Sequence, residues 1–326
     1  MNCEVINGVN YLTSSINLSV VVPCYNEEDT IPLFYNEMME QISSLMEKGI
    51  LEGYEFIFVD DGSTDSTNSI LHDLACNNDK VHYIIFSRNF GKEAALFAGL
   101  QKASGSFIVV MDADLQDPPS LIPQMLEVVS SGEFDCAGTR RVTRKGEPAI
   151  RSFFARGFYR FMAKISDIKV VDGARDFRLM NRMYVDAILS LQERNRFSKG
   201  IYPWVGFKTK WFEYENVNRI AGETKWSFWK LFLYSFDGIT AFSSKPLALA
   251  SVSGTIAFII SIIFILVIII RTIIWGDPVA GWASTICIVL LLSGVQLLSI
   301  GILGQYVAKT YTEVKQRPHY IVRKHK

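Results

Sequence analysis

The apolar positions fall into two regimes. Up to about residue 140, short β-branched runs alternate with stretches of helical period, and after residue 245 two long apolar runs close the chain. Leu18 to Val22 is a β-branched run ending at Pro23. Ile31, Phe34, Met38, Ile42 and Leu45 then recur at helical spacing, predicting a helix across Glu27 to Lys48. Tyr54 to Val59 predicts a buried strand that runs into Asp60-Asp61-Gly62-Ser63. A helix over Asp65 to Cys76 follows, with Ser63 or Thr64 as its cap. Val81 to Phe86 reads as a strand, Lys92 to Lys102 as a helix and Phe107 to Met111 as a strand; Leu121 to Ser130 reads as a helix and Phe134 to Gly138 as a strand. Strands alternating with helices imply parallel βαβ units, hence an α/β domain with a doubly wound sheet. Ligands of such sheets sit beyond the carboxyl ends of the strands. Pro23 to Glu27, Asp60-Asp61 and Asp112 to Gln116 all fall there.

The closing runs, Leu247 to Ile270 and Pro278 to Ala308, contain no charged residue. A bilayer core of ~30 Å needs about 20 apolar helical residues, so both runs are long enough to span. The expectation is a two-span α-helical hairpin at about 247–270 and 280–306. The loop between the runs has only Arg271 and Asp277, while the tail carries Lys309, Lys315, Arg317, Arg323, Lys324 and Lys326 against Glu313. Short Lys/Arg-rich segments stay cytoplasmic. That rule places the large domain and both termini in the cytoplasm and the protein in the plasma membrane as a multi-pass chain.

Two stretches resemble interfacial helices. Ser152 to Ile165 interleaves Phe153, Phe154, Phe158, Tyr159 and Phe161 with Arg156, Arg160 and Lys164, and Trp226 to Phe242 has a similar mixture. A basic aromatic amphipathic helix lies in a membrane interface; the plainer alternative is a helix packed on the sheet with solvated charges. The chain thus divides into an extension (1–17), a catalytic domain (18–225), juxtamembrane helices (226–245), the two spans (246–308) and a basic tail (309–326).

Composition changes little. Lys+Arg and Asp+Glu are equal at 33 each, so net charge names no partner. Arg140 to Lys164 is locally basic, with Glu147 its one acid; the neighbouring spans argue for anionic lipid rather than nucleic acid. Cys3, Cys24, Cys76, Cys136 and Cys287 form no CxxC pair, so neither a zinc site nor a disulfide framework is expected. Met1 to Asn17 is polar and lacks a signal-peptide pattern. The glycines at 254, 294, 301 and 304 suit close helix packing and self-association.

Candidate chemistry centres on Asp112-Ala113-Asp114, just past a buried strand. Two carboxylates one residue apart suit Mg²⁺ or Mn²⁺, which prefer oxygen ligands and share them with substrate phosphates. Gln116 adds a neutral oxygen on the same turn. The bland alternative is a solvated loop. Asp60 ends another strand, where a carboxylate can receive hydrogen bonds from a base or ribose. In the bland alternative, the acids and hydroxyls of that loop only cap the next helix.

Three motifs in order, Val21-Val-Pro-Cys-Tyr-Asn-Glu-Glu28, Val59-Asp-Asp-Gly-Ser-Thr-Asp65 and Met111-Asp-Ala-Asp-Leu-Gln-Asp-Pro-Pro119, resemble the signature of family 2 inverting glycosyltransferases of GT-A fold. Arg88-Asn-Phe-Gly-Lys92, Asp176-Phe-Arg-Leu-Met180 and Arg219-x-x-Gly-x-Thr-Lys-Trp226 resemble its dolichol-phosphate mannose synthase-like branch. The two-span layout is similar to bacterial polyprenyl-phosphate glucosyltransferases. The resemblance implies that Pro23, Tyr25 and Glu27 hold the base and ribose and that Asp60 lies near the uracil or ribose. Asp112, Asp114 and Gln116 would form the metal and diphosphate loop. Arg219 and Lys225 would close over the diphosphate, and Asp176 would lie near the acceptor. Arg140, Arg151 and Arg156 fall where the family places phosphate-binding arginines. One departure is Thr224 before Lys225, where the family usually has Ser.

These expectations make the chain an inverting enzyme using a UDP-sugar, Mg²⁺ or Mn²⁺ and polyprenyl phosphate. Glucose is the first choice of sugar, with N-acetylglucosamine, galactose, mannose and aminoarabinose as alternatives. A processive polysaccharide synthase is disfavoured, because Gln192 to Phe197 is not the QxxRW motif and only two spans are expected. A non-catalytic scaffold would be favoured by loss of Asp112, Asp114 or Asp176, all present.

Overall fold

The computed structural model describes residues 3–6, 9–12, 16–141, 171, 173–214, 245–275 and 281–326. Its centre is an eight-stranded sheet of order β10-β5-β4-β3-β6-β8-β7-β9. The strands are β3 (Asn17–Cys24), β4 (Gly53–Asp60), β5 (Val81–Phe86), β6 (Phe107–Val110), β7 (Cys136–Arg141), β8 (Ala174–Asn181), β9 (Thr209–Tyr214) and β10 (Val322–His325). β1 (Cys3–Ile6) and β2 (Val9–Leu12) form a separate antiparallel hairpin within the segment read as a plain extension.

β5, β4, β3 and β6 are mutually parallel, as the βαβ alternation predicts. Alternation along the strands splits the core in two. Val20, Val22, Phe56 and Phe58 pack on one face with α1 (Ile31–Glu47), α2 (Thr67–Asn77) and α4 (Ile122–Ser130). Val21, Ile57 and Val59 pack on the other with α3 (Lys92–Lys102), α5 (Arg182–Ser190) and α6 (Ser198–Trp204). The five residues that predicted α1 are its buried stripe.

Three differences have physical causes. α2 starts at Thr67 and not at Asp65, because the Ser63 hydroxyl is taken by Asp60 and the Asp65 carboxylate accepts from the Thr67 N–H (3.1 Å). β7 does not adjoin β6; β8 inserts between them, antiparallel to both. The third concerns the basic tail. The last helix runs to Lys315, and Val322–His325 then joins β5 as an antiparallel edge strand, so the catalytic sheet includes residues far beyond 225.

The two C-terminal helices, α7 (Lys245–Trp275) and α8 (Trp282–Lys315), lie alongside one another. Among the described residues one segment, Leu291–Lys315, is long and apolar enough to cross a membrane by length and composition. The amphipathic stretches expected at 152–165 and 226–242 lie outside the described residues.

Candidate active site

The site lies at the carboxyl ends of β3, β4 and β6, on loops that lock one another. Asn26 sits at φ 54° and joins the loop after β4: its N–H donates to Ser63 Oγ (2.8 Å), and its side-chain oxygen accepts from the Thr64 N–H (2.9 Å). Glu28 Oε2 accepts from the Ser66 N–H (2.8 Å). Pro23 pairs with Val59 across β3 and β4, Tyr25 is exposed at the mouth, and Glu27 Oε2 accepts from Thr30 Oγ1 (2.6 Å).

Asp60 and Asp61 share the end of β4 and do different work. Asp61 accepts from the N–H groups of Phe90 (2.6 Å) and Gly91 (2.9 Å), which fixes the start of α3. Gly62 must be glycine: it sits at φ +73°, and a Cβ would lie 2.5 Å from the Arg88 carbonyl carbon. Asp60 is fully buried; Oδ1 accepts from the Ser63 N–H (3.0 Å) and hydroxyl, while Oδ2 has no hydrogen-bond partner among the described residues. Burial pushes the Asp60 carboxyl up, opposed by the Ser63 hydrogen bonds.

Asp112-Ala113-Asp114 follows β6. Leu115 adopts φ 52°, a left-handed backbone rare for a bulky side chain and typical of functional turns. Asp114 Oδ1 accepts from the Gln116 N–H (3.2 Å) within this turn. The Gln116 amide oxygen accepts from Arg141 Nη2 (2.9 Å). Asp117, nearly fully buried, takes Arg175 Nε (3.0 Å) and the Tyr214 hydroxyl, tying the loop to β8 and β9.

Asp176 on β8 meets this loop through Lys92. Lys92 Nζ lies 2.7 and 2.9 Å from the two Asp112 oxygens and 2.6 Å from Asp176 Oδ2. Burial raises the Asp176 carboxyl, but Lys92 and then Lys199 outweigh it and hold the group well below the usual carboxylate range. Burial lowers the Lys92 ammonium; Asp112 and Asp176 overcome this and hold it protonated. The donor and acceptor acids expected from sequence are thus brought together.

Arg140 is not brought to them. It pairs with Glu213 on neighbouring β9, and strand alternation sends the next residue, Arg141, to the opposite face and to Gln116. Arg141, rather than Arg140, is thus the arginine beside the Asp112–Gln116 loop. Arg151, Arg156, Arg219 and Lys225 lie outside the described residues. Lys92 and Lys199 were missed; Lys92 was quoted only as part of a motif, and its partners are 20 and 84 residues away.

A divalent cation fits the donor set. Asp112 already gathers a cationic group with both oxygens, and it offers hard donors. Among the described residues no three His, Cys, Asp or Glu side chains converge, so further ligands must come from elsewhere.

The sequence profile of glycosyl transferase family 2 matches residues 19–189. The chain belongs to this family. It is a glycosyltransferase, with the mostly parallel α/β architecture expected for GT-A enzymes. A prophage bactoprenol glucosyl transferase homolog from Escherichia coli (strain K12) is 41% identical over 311 residues, the match covering 95% of this chain and 99% of that one. The bactoprenol glucosyl transferase of Shigella phage SfV is 41% identical over 313 residues, covering 95% and 99%. Glucosyl-3-phosphoglycerate synthase from Mycobacterium tuberculosis, solved with Mn²⁺, UDP-glucose and phosphoglyceric acid, has a TM-score of 0.44 and 20% identity, covering 69% of this chain and 78% of that one.

Proposed function

We propose that this glycosyltransferase moves glucose from UDP-glucose to a polyprenyl phosphate at a membrane surface. The carrying observation is the meeting of the Asp112–Asp114 loop with Asp176 at Lys92. The near full-length likeness to bactoprenol glucosyl transferases supports the sugar and the lipid.

In this reading Pro23, Tyr25 and Glu27 border the nucleoside, and a base or ribose donor meets Asp60 Oδ2. Asp112 and Asp114 would hold Mg²⁺ or Mn²⁺, hard cations that suit carboxylate oxygens. When bound, the cation stabilises charge developing on the leaving diphosphate. Arg141 stands beside Gln116 and supplies positive charge on the same side. Arg219 and Lys225 would close over the diphosphate, and Arg151 and Arg156 would take the acceptor phosphate, as the family resemblance implies.

A phosphate monoester has its second pKa near ~6 and is mostly ionised at pH 7. Its oxygen therefore needs little help from a base, and an ionised Asp176 orients the acceptor. In-line attack at the anomeric carbon inverts configuration, turning an α-linked donor into a β-linked lipid phosphate. The helices α7 and α8 form the two-span anchor: large apolar side chains such as Phe258, Ile273, Leu291 and Leu297 are exposed along them. With the basic segments inside, the catalytic domain faces the cytoplasm.

The test is transfer of radiolabel from UDP-glucose to polyprenyl phosphate by the full-length protein in lipid. Label should become lipid-extractable, and Asp114→Ala should abolish it while the protein stays folded and membrane-bound. Label appearing in polymer, or undiminished transfer by Asp114→Ala, refutes the reading.

A further inference from the structure

Lys92 occupies the centre of the site and has no part in the reaction as described above. Its position is built from both sides. Asp61 clamps the Phe90 and Gly91 N–H groups before it, and Gly91 takes φ +100° to turn into α3. After it, Glu93 accepts from the Ser198 N–H (3.0 and 3.1 Å) and hydroxyl, pinning α3 to α6. The side chain therefore leaves a fixed backbone and ends between carboxylates from two different strands.

Both oxygens of Asp112 are engaged by this one ammonium, and its third hydrogen bond goes to Asp176. One ammonium bonds both acids, while Lys199 lends further positive charge to Asp176. A bare divalent cation approaching Asp112 must displace or oppose the ammonium. A cation arriving with a diphosphate brings oxygen ligands and negative charge that compensate. The released ammonium keeps Asp176 and can face the incoming phosphate oxygens.

We propose that Lys92 is a positioning residue that ties donor-side Asp112 to acceptor-side Asp176 and yields Asp112 to the cation only when the nucleotide diphosphate comes with it. The proposal rests on the transferase reading of these two acids. It makes the lysine the reason that metal and nucleotide bind together rather than separately.

The test is Mn²⁺ binding to the full-length protein in nanodiscs, read by loss of the free-Mn²⁺ electron paramagnetic resonance signal, with and without UDP. Wild type, Lys92→Met, Lys92→Arg and Asp114→Ala are compared, with folding checked by circular dichroism. Lys92→Met should bind Mn²⁺ alone about thirtyfold tighter than wild type, the scale of removing one unit charge ~4 Å from a divalent cation in a water-like dielectric. The strengthening of Mn²⁺ binding by UDP should shrink by the same factor. Lys92→Arg, which keeps the charge, should stay near wild type and also covers the case in which the methionine variant does not fold: an arginine variant that binds bare Mn²⁺ as tightly as a charge-free site overturns the proposal. Lys92→Met binding Mn²⁺ alone no tighter than wild type also overturns it. If Asp114→Ala leaves Mn²⁺–UDP binding intact, the metal reading itself fails; if Asp114→Ala abolishes it while Lys92→Met changes nothing, only the role of Lys92 falls.

Discussion

Replacing Tyr320 with alanine tests whether the C-terminal strand is held to the catalytic sheet by a few side chains. The four side chains of β10 are all exposed, so burial of the strand itself contributes little. Its anchor is local. The Tyr320 ring stacks on Phe86 (centroids 4.8 Å apart, planes 15° from parallel), and its hydroxyl donates to Gln101 Oε1 (2.8 Å). Backbone bonds from Ser87 N to Ile321 O (2.9 Å) and from Lys326 N to Tyr83 O (3.0 Å) flank the β5–β10 ladder, and Lys326 Nζ donates to the Ala75 carbonyl. The aromatic pair contributes about 1 kcal/mol beyond area, the hydrogen bond a net ~1 kcal/mol, and burial of half a ring ~1 kcal/mol. Tyr320→Ala should therefore ease detachment of the strand by about 2–3 kcal/mol, some 30- to 150-fold in the opening equilibrium. Amide hydrogen exchange on the full chain in nanodiscs reads this directly. The amides of 321–326 should lose protection by that factor, while Val20 to Val22 in the sheet centre keep theirs. Unchanged protection at 321–326, or equal loss throughout the sheet, refutes the reasoning.

Three further outcomes follow from buried polar contacts. Asp117→Ala removes the partner of Arg175 and of the Tyr214 hydroxyl, so denaturant unfolding should show a loss of about 3 kcal/mol or more; a loss below about 1 kcal/mol refutes the structural weight given to this pair. Asp60→Asn converts the unpartnered buried oxygen into a mixed donor–acceptor amide, so calorimetric UDP affinity should fall about tenfold, and an unchanged affinity removes Asp60 from the nucleoside site. His319 accepts from Arg194 through Nε2 (2.6 Å) and packs against the Phe97 ring at a tilt, and burial, then Arg194 and Arg196, hold its pKa below the ordinary value. A group whose folded pKa is lowered contributes fully above its unfolded pKa of about 6.5 and loses that contribution as pH falls from there to the folded value. Exchange protection of 319–326, corrected for intrinsic rates, should thus drop between pH about 7.5 and about 5.5; a flat profile counts against it.

The parts that were legible in the sequence are those set by short-range pattern. Ile31, Phe34, Met38, Ile42 and Leu45 lie on one helical stripe, so burial of one predicts burial of all. Asp60 and Asp112 follow β-branched runs, and the end of a parallel strand is a place that periodicity can find. Pairing was not legible. Nothing local in Ala174–Asn181 says that it enters between β6 and β7, because strand neighbours are chosen across long loops. Val322–His325 carries charged and exposed side chains that resemble a solvated tail; what makes it a strand is the open edge of β5. The meeting of Arg141 with Gln116 was illegible for a related reason. Alternation assigns the two arginines to opposite faces, but which face meets Gln116 depends on the register with β9.

That non-local pairing connects the last helix to the chemistry. Near the end of α8, Glu313 accepts from the N–H groups of Arg194 (2.8 and 2.9 Å) and Asn195 (2.9 Å). Three residues on, Ser198 is bound to Glu93, the neighbour of Lys92, which reaches Asp112 and Asp176. Each link is a hydrogen bond to a backbone group or a charge pair, so little slack separates the helix end from the reacting centre. A catalytic domain tethered only by a flexible chain would sample many heights above a bilayer. Here the helix end and the β10 strand hold the domain at two places, one beside α6 and one at the β5 edge of the sheet. In the proposed reading, an acceptor whose phosphate stays at the headgroup level needs a site at constant height, and a two-point attachment would meet that need without any contact to the lipid chain itself.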